Sequence, residues 1–148
     1  CAPHANSYHR FQSGSYAPVN MSWGYNNRTV SLRIPANNGP DMRIEHRLAG
    51  ADANPYLLVS TLLAGLHYGL ITKTEPPAPV EGNAYLQTDT ELPLTWEQAK
   101  NHFDHAKILP KYFGKEFCQL FSNLKLGEQT RFMNTIAPLE YDWYLKTV

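Results

Sequence analysis

Apolar and polar residues alternate over two short stretches in the first third of the chain. In RTVSLRIP, Arg28 to Pro35, Val30, Leu32 and Ile34 alternate with Thr29, Ser31 and Arg33. A period of two predicts a half-buried strand, and Pro35 ends it because proline has no N–H to give to a ladder. In MRIEHRL, Met42 to Leu48, the residues Ile44, His46 and Leu48 take one side while Arg43, Glu45 and Arg47 take the other. The turn-forming cluster ANNGPD, Ala36 to Asp41, joins the two segments, so a hairpin is expected. Residues 1–25 are rich in Asn, Ser, Tyr, Pro and Gly and read as loops and turns.

Beyond residue 50 the pattern turns helical. Asp52 or Asn54 can cap a helix that has Pro55 in its first position. From there to Leu70 apolar residues lie on nearly all sides, which predicts a buried helix. Gly65 and Gly69 would permit a close neighbour, and His67 is expected as a hydrogen-bonded core residue. Residues 72–93 hold many of the prolines without a period and read as a long surface connection. Thr95 and Gln98 form a capping box for LTWEQAKNHFDHA, on which His102 and His105 face outward as surface residues. Gly114 to Ile136 is helical, with Phe117, Leu120, Phe121 and Leu124 spaced as a core stripe. PLEYDWYLKTV ends the chain as a short helix that Trp143 and Tyr144 should dock. Together these elements predict one α+β domain over residues 1–148, with strands mainly in 1–50 and helices mainly in 54–148.

Composition narrows the functional classes. The 148 residues are 43% hydrophobic, enough for one modest core. Thirteen basic and 13 acidic side chains cancel, which gives no support to nucleic-acid or membrane-surface binding. The longest apolar run, Leu57 to Leu70, is interrupted by Ser60, Thr61, His67 and two glycines, so no membrane span is expected. No basic-then-apolar leader opens the chain, and Cys1 and Cys118 have no metal-ligand spacing. Reduced thiols in a cytoplasmic protein are expected. The opening CAPHANSYHRF, without an initiator methionine, reads as the interior of a longer protein.

The second strand poses the chemical question. A sheet face carrying Arg33, Arg43 and Arg47 around Glu45 is not a core face. It is either plain solvated surface or a site for an anion and a metal ion. The pattern alone favours the solvated face, because structural charge networks are common.

Five stretches stand in order: NSYHRF from Asn6, SYAP from Ser15, NRTVSLRIP from Asn27, RIEHR from Arg43 and DANPYL from Asp52. This series resembles the C-terminal catalytic region of the glutamine synthetase family, closely over the first half of the chain. The helical second half is compatible but carries no specific motif. The resemblance implies a curved antiparallel sheet flanked by helices around a funnel-shaped site. That site is completed by a smaller domain of a neighbouring subunit, in a homo-oligomer of stacked rings. It also implies a reaction: ATP phosphorylates the γ-carboxylate of glutamate, and an amine displaces the phosphate, with Mg2+ or Mn2+ bridging the phosphates and the acid. By position, Arg10 matches the arginine that holds the substrate carboxylate, a task suited to a two-pronged guanidinium. Arg28 matches an arginine near the transferred phosphoryl group, and so both a catalytic and an ATP-binding position. Arg33 matches an ATP-phosphate contact and Arg43 a nucleotide-side contact. Glu45 matches a metal carboxylate, a hard ligand suited to Mg2+ or Mn2+, and Arg47 a second contact to glutamate. The family's other metal ligands and its ATP-base pocket lie upstream of the position of Cys1, so the 148 residues alone should be inactive.

Two departures from the family pattern matter. The stretch between Arg33 and Arg43 is one residue shorter than in ordinary glutamine synthetases and lacks a lysine some of them carry. In GSYAP, Gly14 to Pro18, Tyr16 stands where those enzymes have a glutamate that favours ammonium and takes its proton. A tyrosine, neutral near pH 7, cannot do this by charge. Its ring suits the methylene chain of a larger amine and a cation–π contact with a second ammonium. Family members that join glutamate to putrescine or other amines show this kind of change, and Tyr16 is therefore expected in substrate binding. An ordinary ammonia-using glutamine synthetase and an inert structural relative are the competing readings.

Overall fold

The computed structural model describes residues 1–35, 39–87 and 92–147. A 3-10 helix, Ala5–Arg10, precedes three short strands: β1, Trp23–Tyr25; β2, Leu32–Ile34; and β3, Glu45–His46. Strand β2 is central. It pairs antiparallel with β3, as the alternating segments predict, and parallel with β1. The parallel partner lies in a stretch expected to be loop, so the sheet is mixed rather than wholly antiparallel. The expected turn at Ala36–Asp41 lies partly outside the described residues.

The core under this sheet is small and partly polar. Val30, Ala17, Pro18 and Ala84 are buried, and Asn20 lies buried among them. Asn20 is satisfied there: its Nδ2 donates to Ala84 O at 2.6 Å, its Oδ1 accepts from Ser22, and its carbonyl accepts from the Ser31 hydroxyl. Paired in this way, a buried amide avoids the desolvation cost of an orphan group.

The connection after α1 is fastened to the sheet through its middle. Trp23 Nε1 donates to Pro77 O at 2.7 Å, and Val80 N donates to Trp23 O at 2.8 Å. A Cβ at Gly24 would lie 2.7 Å from the Val80 carbonyl oxygen, so glycine is what lets this segment lie against β1. A second 3-10 helix, Ala84–Leu86, follows.

Among the described residues five α-helices follow: α1, Pro55–Thr72; α2, Trp96–Asp104; α3, Leu109–Phe113; α4, Lys115–Met133; and α5, Pro138–Tyr144. The caps fall where the sequence puts them. Asn54 Oδ1 accepts from the N–H groups of Tyr56 and Leu57, and Thr95 Oγ1 accepts from Gln98 N. Helix α4 packs on α2 and α3, with the Phe103 and Phe121 rings 5.2 Å apart and Phe113 stacked on Phe117 at 5.7 Å.

Burial differs from expectation. Only Ala64 of α1 is buried, because α3 is its principal neighbour among the described elements. No atom lies within 4 Å of a Cβ built at Gly65 or Gly69. His67 is hydrogen-bonded, to the Tyr112 hydroxyl at 2.8 Å, but stands exposed. Leu120, Leu124, Trp143 and Tyr144 are exposed as well, so neither the α4 stripe nor the last helix is buried as predicted. Helix α1 also corrects the reading that no apolar run is long enough for a bilayer. Its 18 residues, at mean hydropathy 1.3, pass by length and composition, since its polar residues lower the average without adding a charge.

Candidate active site

The β2–β3 register sets Arg33 opposite Glu45. Both side chains leave the same face, and Arg33 Nη1 donates to Glu45 Oε2 at 2.9 Å. Two residues on, Arg47 returns to that face and its Nη1 donates to Glu45 Oε1 at 2.5 Å. One carboxylate is thus held between two guanidinium groups, one on each oxygen, and both arginine side chains are more buried than the glutamate. Burial pushes the Glu45 carboxyl up. The Arg47 hydrogen bond and the charges of Arg33, Arg47 and Arg43 outweigh that effect and hold it below its ordinary value. Inside the cluster the Nε groups of Arg33 and Arg47 are buried and lack a hydrogen-bond partner among the described residues.

Arg47 also ties two loops together. Its Nη2 donates to Tyr16 O at 2.7 Å and to Arg28 O at 2.9 Å. Tyr16 sits at φ +57°, a left-handed conformation rare for an aromatic residue. The loop around it is pinned from both sides: Ser15 Oγ donates to Gln12 O at 2.6 Å, and Tyr85 Oη donates to Ala17 O at 3.0 Å. The Tyr16 ring is left exposed above an open cleft of about 610 Å³, lined among others by Tyr25, Arg28 and Glu81. The Arg28 guanidinium has no partner among the described residues.

Of the residues singled out from sequence, Arg33, Glu45 and Arg47 meet directly, and Tyr16 and Arg28 join them through Arg47. Arg10 stands at the end of the first 3-10 helix. Its two Nη atoms donate to the carbonyls of Leu48 and Arg47 at 2.7 and 2.6 Å, which sets it beside the cluster on the far end of β3. Arg43 does not join. It lies before β3 begins, is exposed, and donates to Asp41 O at 3.2 Å. Its charge alone reaches Glu45.

Sequence reasoning missed Asn27 and Glu81. Asn27 Oδ1 accepts from Thr29 N and Oγ1 at 3.0 and 2.7 Å, while its Nδ2 donates to Val80 O at 3.2 Å and Gly82 O at 2.8 Å. The Asn-x-Thr spacing is a local turn signal, but the partners at 80 and 82 are invisible to it. Asp52, read as a possible cap and as the start of DANPYL, accepts from the Ser7 hydroxyl at 2.6 Å and anchors the helix that carries Arg10.

Glu45 fits a divalent cation as one ligand among several. It is ionised, and each oxygen keeps a lone pair beyond the one given to arginine. No group of three or more His, Cys, Asp or Glu side chains that could hold a metal occurs among the described residues, so this segment supplies a single hard ligand rather than a closed site.

Residues 1–144 match the family described as glutamine synthetase, catalytic domain. The chain is 41% identical over 145 residues to the γ-glutamylputrescine synthetase PuuA of Escherichia coli (strain K12), covering 98% of this chain and 31% of that protein. It is 37% identical over 145 residues to the γ-glutamylethanolamide synthetase GlnA4 of Streptomyces coelicolor, covering 98% of this chain and 30% of the relative. A solved structure titled GmaS/ADP complex superposes at a TM-score of 0.82 with 27% identity, over 97% of this chain and 35% of that one. The chain thus spans about a third of the length of these relatives. On the family match and these identities together, the chain belongs to the glutamine synthetase family, within its catalytic domain.

Proposed function

We propose that these residues form the C-terminal part of the catalytic domain of an ATP-dependent ligase that joins the γ-carboxylate of glutamate to an amine larger than ammonia, such as putrescine. The observation that carries this reading is the Arg33–Glu45–Arg47 cluster tied through Arg47 to Tyr16 and Arg28. Relatives named for putrescine and ethanolamide synthesis support the choice of a larger amine, and so does an aromatic residue at position 16.

In this reading the γ-carboxylate oxygen of glutamate takes the terminal phosphoryl group of ATP, giving ADP and γ-glutamyl phosphate. The unprotonated amine attacks the acyl carbon, the bond from carbon to the phosphate oxygen breaks, and inorganic phosphate leaves as the nitrogen loses a proton. The chemistry is mainly charge positioning. Arg33 and the exposed Arg28 side chain neutralise phosphate oxygens. Arg10 holds the amino acid's carboxylate, which requires it to exchange backbone carbonyls for the substrate. Arg47 fixes Glu45 and the Tyr16 loop in register while contacting glutamate, and Arg43 contributes charge from the nucleotide side. Glu45 would hold Mg2+ or Mn2+, which supplies charge neutralisation between phosphates and acid when bound. The working enzyme in this reading is a longer cytoplasmic protein assembled as stacked rings, with no nucleic-acid or membrane partner.

The test is a turnover assay of the protein in its full natural length with glutamate, ATP and a panel of ammonia, monoamines and diamines. Products are identified by mass spectrometry. Faster turnover of a larger amine than of ammonia supports the reading. Preference for ammonia over every amine contradicts it.

A further inference from the structure

We propose that Glu81 selects the amine, by receiving a second positive charge at the far end of a diamine; this rests on the ligase reading above. Four observations converge on it. The open cleft beside the cluster is lined by Tyr16, Tyr25, Arg28 and Glu81, and it shares Tyr16 and Arg28 with the Arg47 tie. Glu81 is held where it is by its neighbours: Asn27 Nδ2 donates to the carbonyls on both sides of it, at Val80 and Gly82, and Val80 N donates to Trp23 O at 2.8 Å. Its carboxylate has no hydrogen bond or ion pair among the described residues. Two non-glycine residues with left-handed backbone, Tyr16 at φ +57° and Asn26 at φ +49°, also line this cleft. Such conformations persist where surrounding structure enforces them, and they concentrate at ligand sites.

The electrostatics of the cleft require a carboxylate if a cation is to enter. Arg28 brings a guanidinium cation to the cleft lining. A diamine must present one nitrogen as the free base for attack, while the other, with a basicity like that of lysine, stays protonated near neutral pH. Against Arg28 alone that ammonium would be repelled. Glu81 offsets the repulsion, and the exposed faces of Tyr16 and Tyr25 add cation–π attraction and cover the methylene chain. Position 16 carries no carboxylate, and among the described residues lining the cleft the carboxylate is that of Glu81. An amine with a neutral far end gains nothing from it.

The experiment compares Glu81→Gln, Glu81→Asp and the unmodified enzyme at full natural length, with putrescine and n-butylamine as acceptors at saturating glutamate and ATP. The expected result for Glu81→Gln is a fall of about 10- to 100-fold in the ratio of kcat/KM for putrescine to that for butylamine, located in the putrescine KM. Glu81→Asp restores part of that ratio. A ratio unchanged in Glu81→Gln, or equal losses for both amines, overturns the proposal while leaving the ligase reading intact. An unmodified enzyme that uses amines but prefers butylamine to putrescine overturns it too. An unmodified enzyme active with ammonia alone overturns both readings.

Discussion

Arg33 and Glu45 are register partners across the β2–β3 pairing, and their side chains meet at 2.9 Å on one face of the sheet. A hairpin therefore turns two positions 12 residues apart into one ion pair, and Arg47 closes on the other oxygen of the same carboxylate. The cluster is a property of strand register, and a slip of one residue in the β3 segment would send Glu45 and Arg47 to the face opposite Arg33.

Replacing Glu45 by Gln leaves two partly buried guanidinium groups facing each other without a counter-charge. A stability loss of about 1–2 kcal/mol is expected in urea denaturation, modest because the carboxylate is partly exposed. Calorimetric titration with Mn2+ should show weakened binding in the same variant.

The pH dependence of the cluster follows from the Glu45 carboxyl being held below its ordinary value of 4.5. The unfolded chain binds that proton more readily, so folding gains stability from Glu45 above the ordinary value and loses it as pH falls through the lower folded one. A carbon-13 NMR titration should place the Glu45 midpoint below 4.5 in the native protein, and Arg47→Ala should bring it back up.

Gly24→Ala puts a methyl group 2.7 Å from the Val80 carbonyl oxygen, a backbone atom that cannot swing away. Overpacking of this kind costs about 1–3 kcal/mol, which thermal unfolding will read. Since residues 77–82 must shift, hydrogen exchange should rise at Val80, whose N–H bonds Trp23.

Tyr16→Glu restores a carboxylate to the loop without changing its left-handed backbone demand. Relative to the unmodified enzyme, the preference should move toward ammonia by about tenfold or more in the ratio of kcat/KM values. An unchanged preference would remove Tyr16 from amine selection.

Much of the cluster was legible because strand alternation is a strict geometric rule. It placed Arg33, Glu45 and Arg47 on one face, and they are there. It failed for Arg43, which precedes β3, whereas Arg47 just beyond β3 is still held to the neighbouring segment by its N–H bond to Ser31 O at 3.0 Å. Caps were legible at Asn54 and Thr95 because they depend on atoms two or three residues away. Burial was not: an apolar stripe on α1 or α4 states a preference for contact but names no neighbour, and α1 finds little beyond α3 here. Nor could the chain reveal that Asn27 holds the segment around Glu81, since those partners are 53 and 55 residues apart.

The most direct test of the central claim follows the oxygen that leaves. Glutamate labelled with oxygen-18 in its γ-carboxylate is turned over with ATP and putrescine by the full-length enzyme, and the inorganic phosphate is analysed by mass spectrometry. Activation of the acid as an acyl phosphate predicts transfer of one labelled oxygen to phosphate per amide formed. Phosphate that carries no label while γ-glutamylputrescine accumulates would contradict the account.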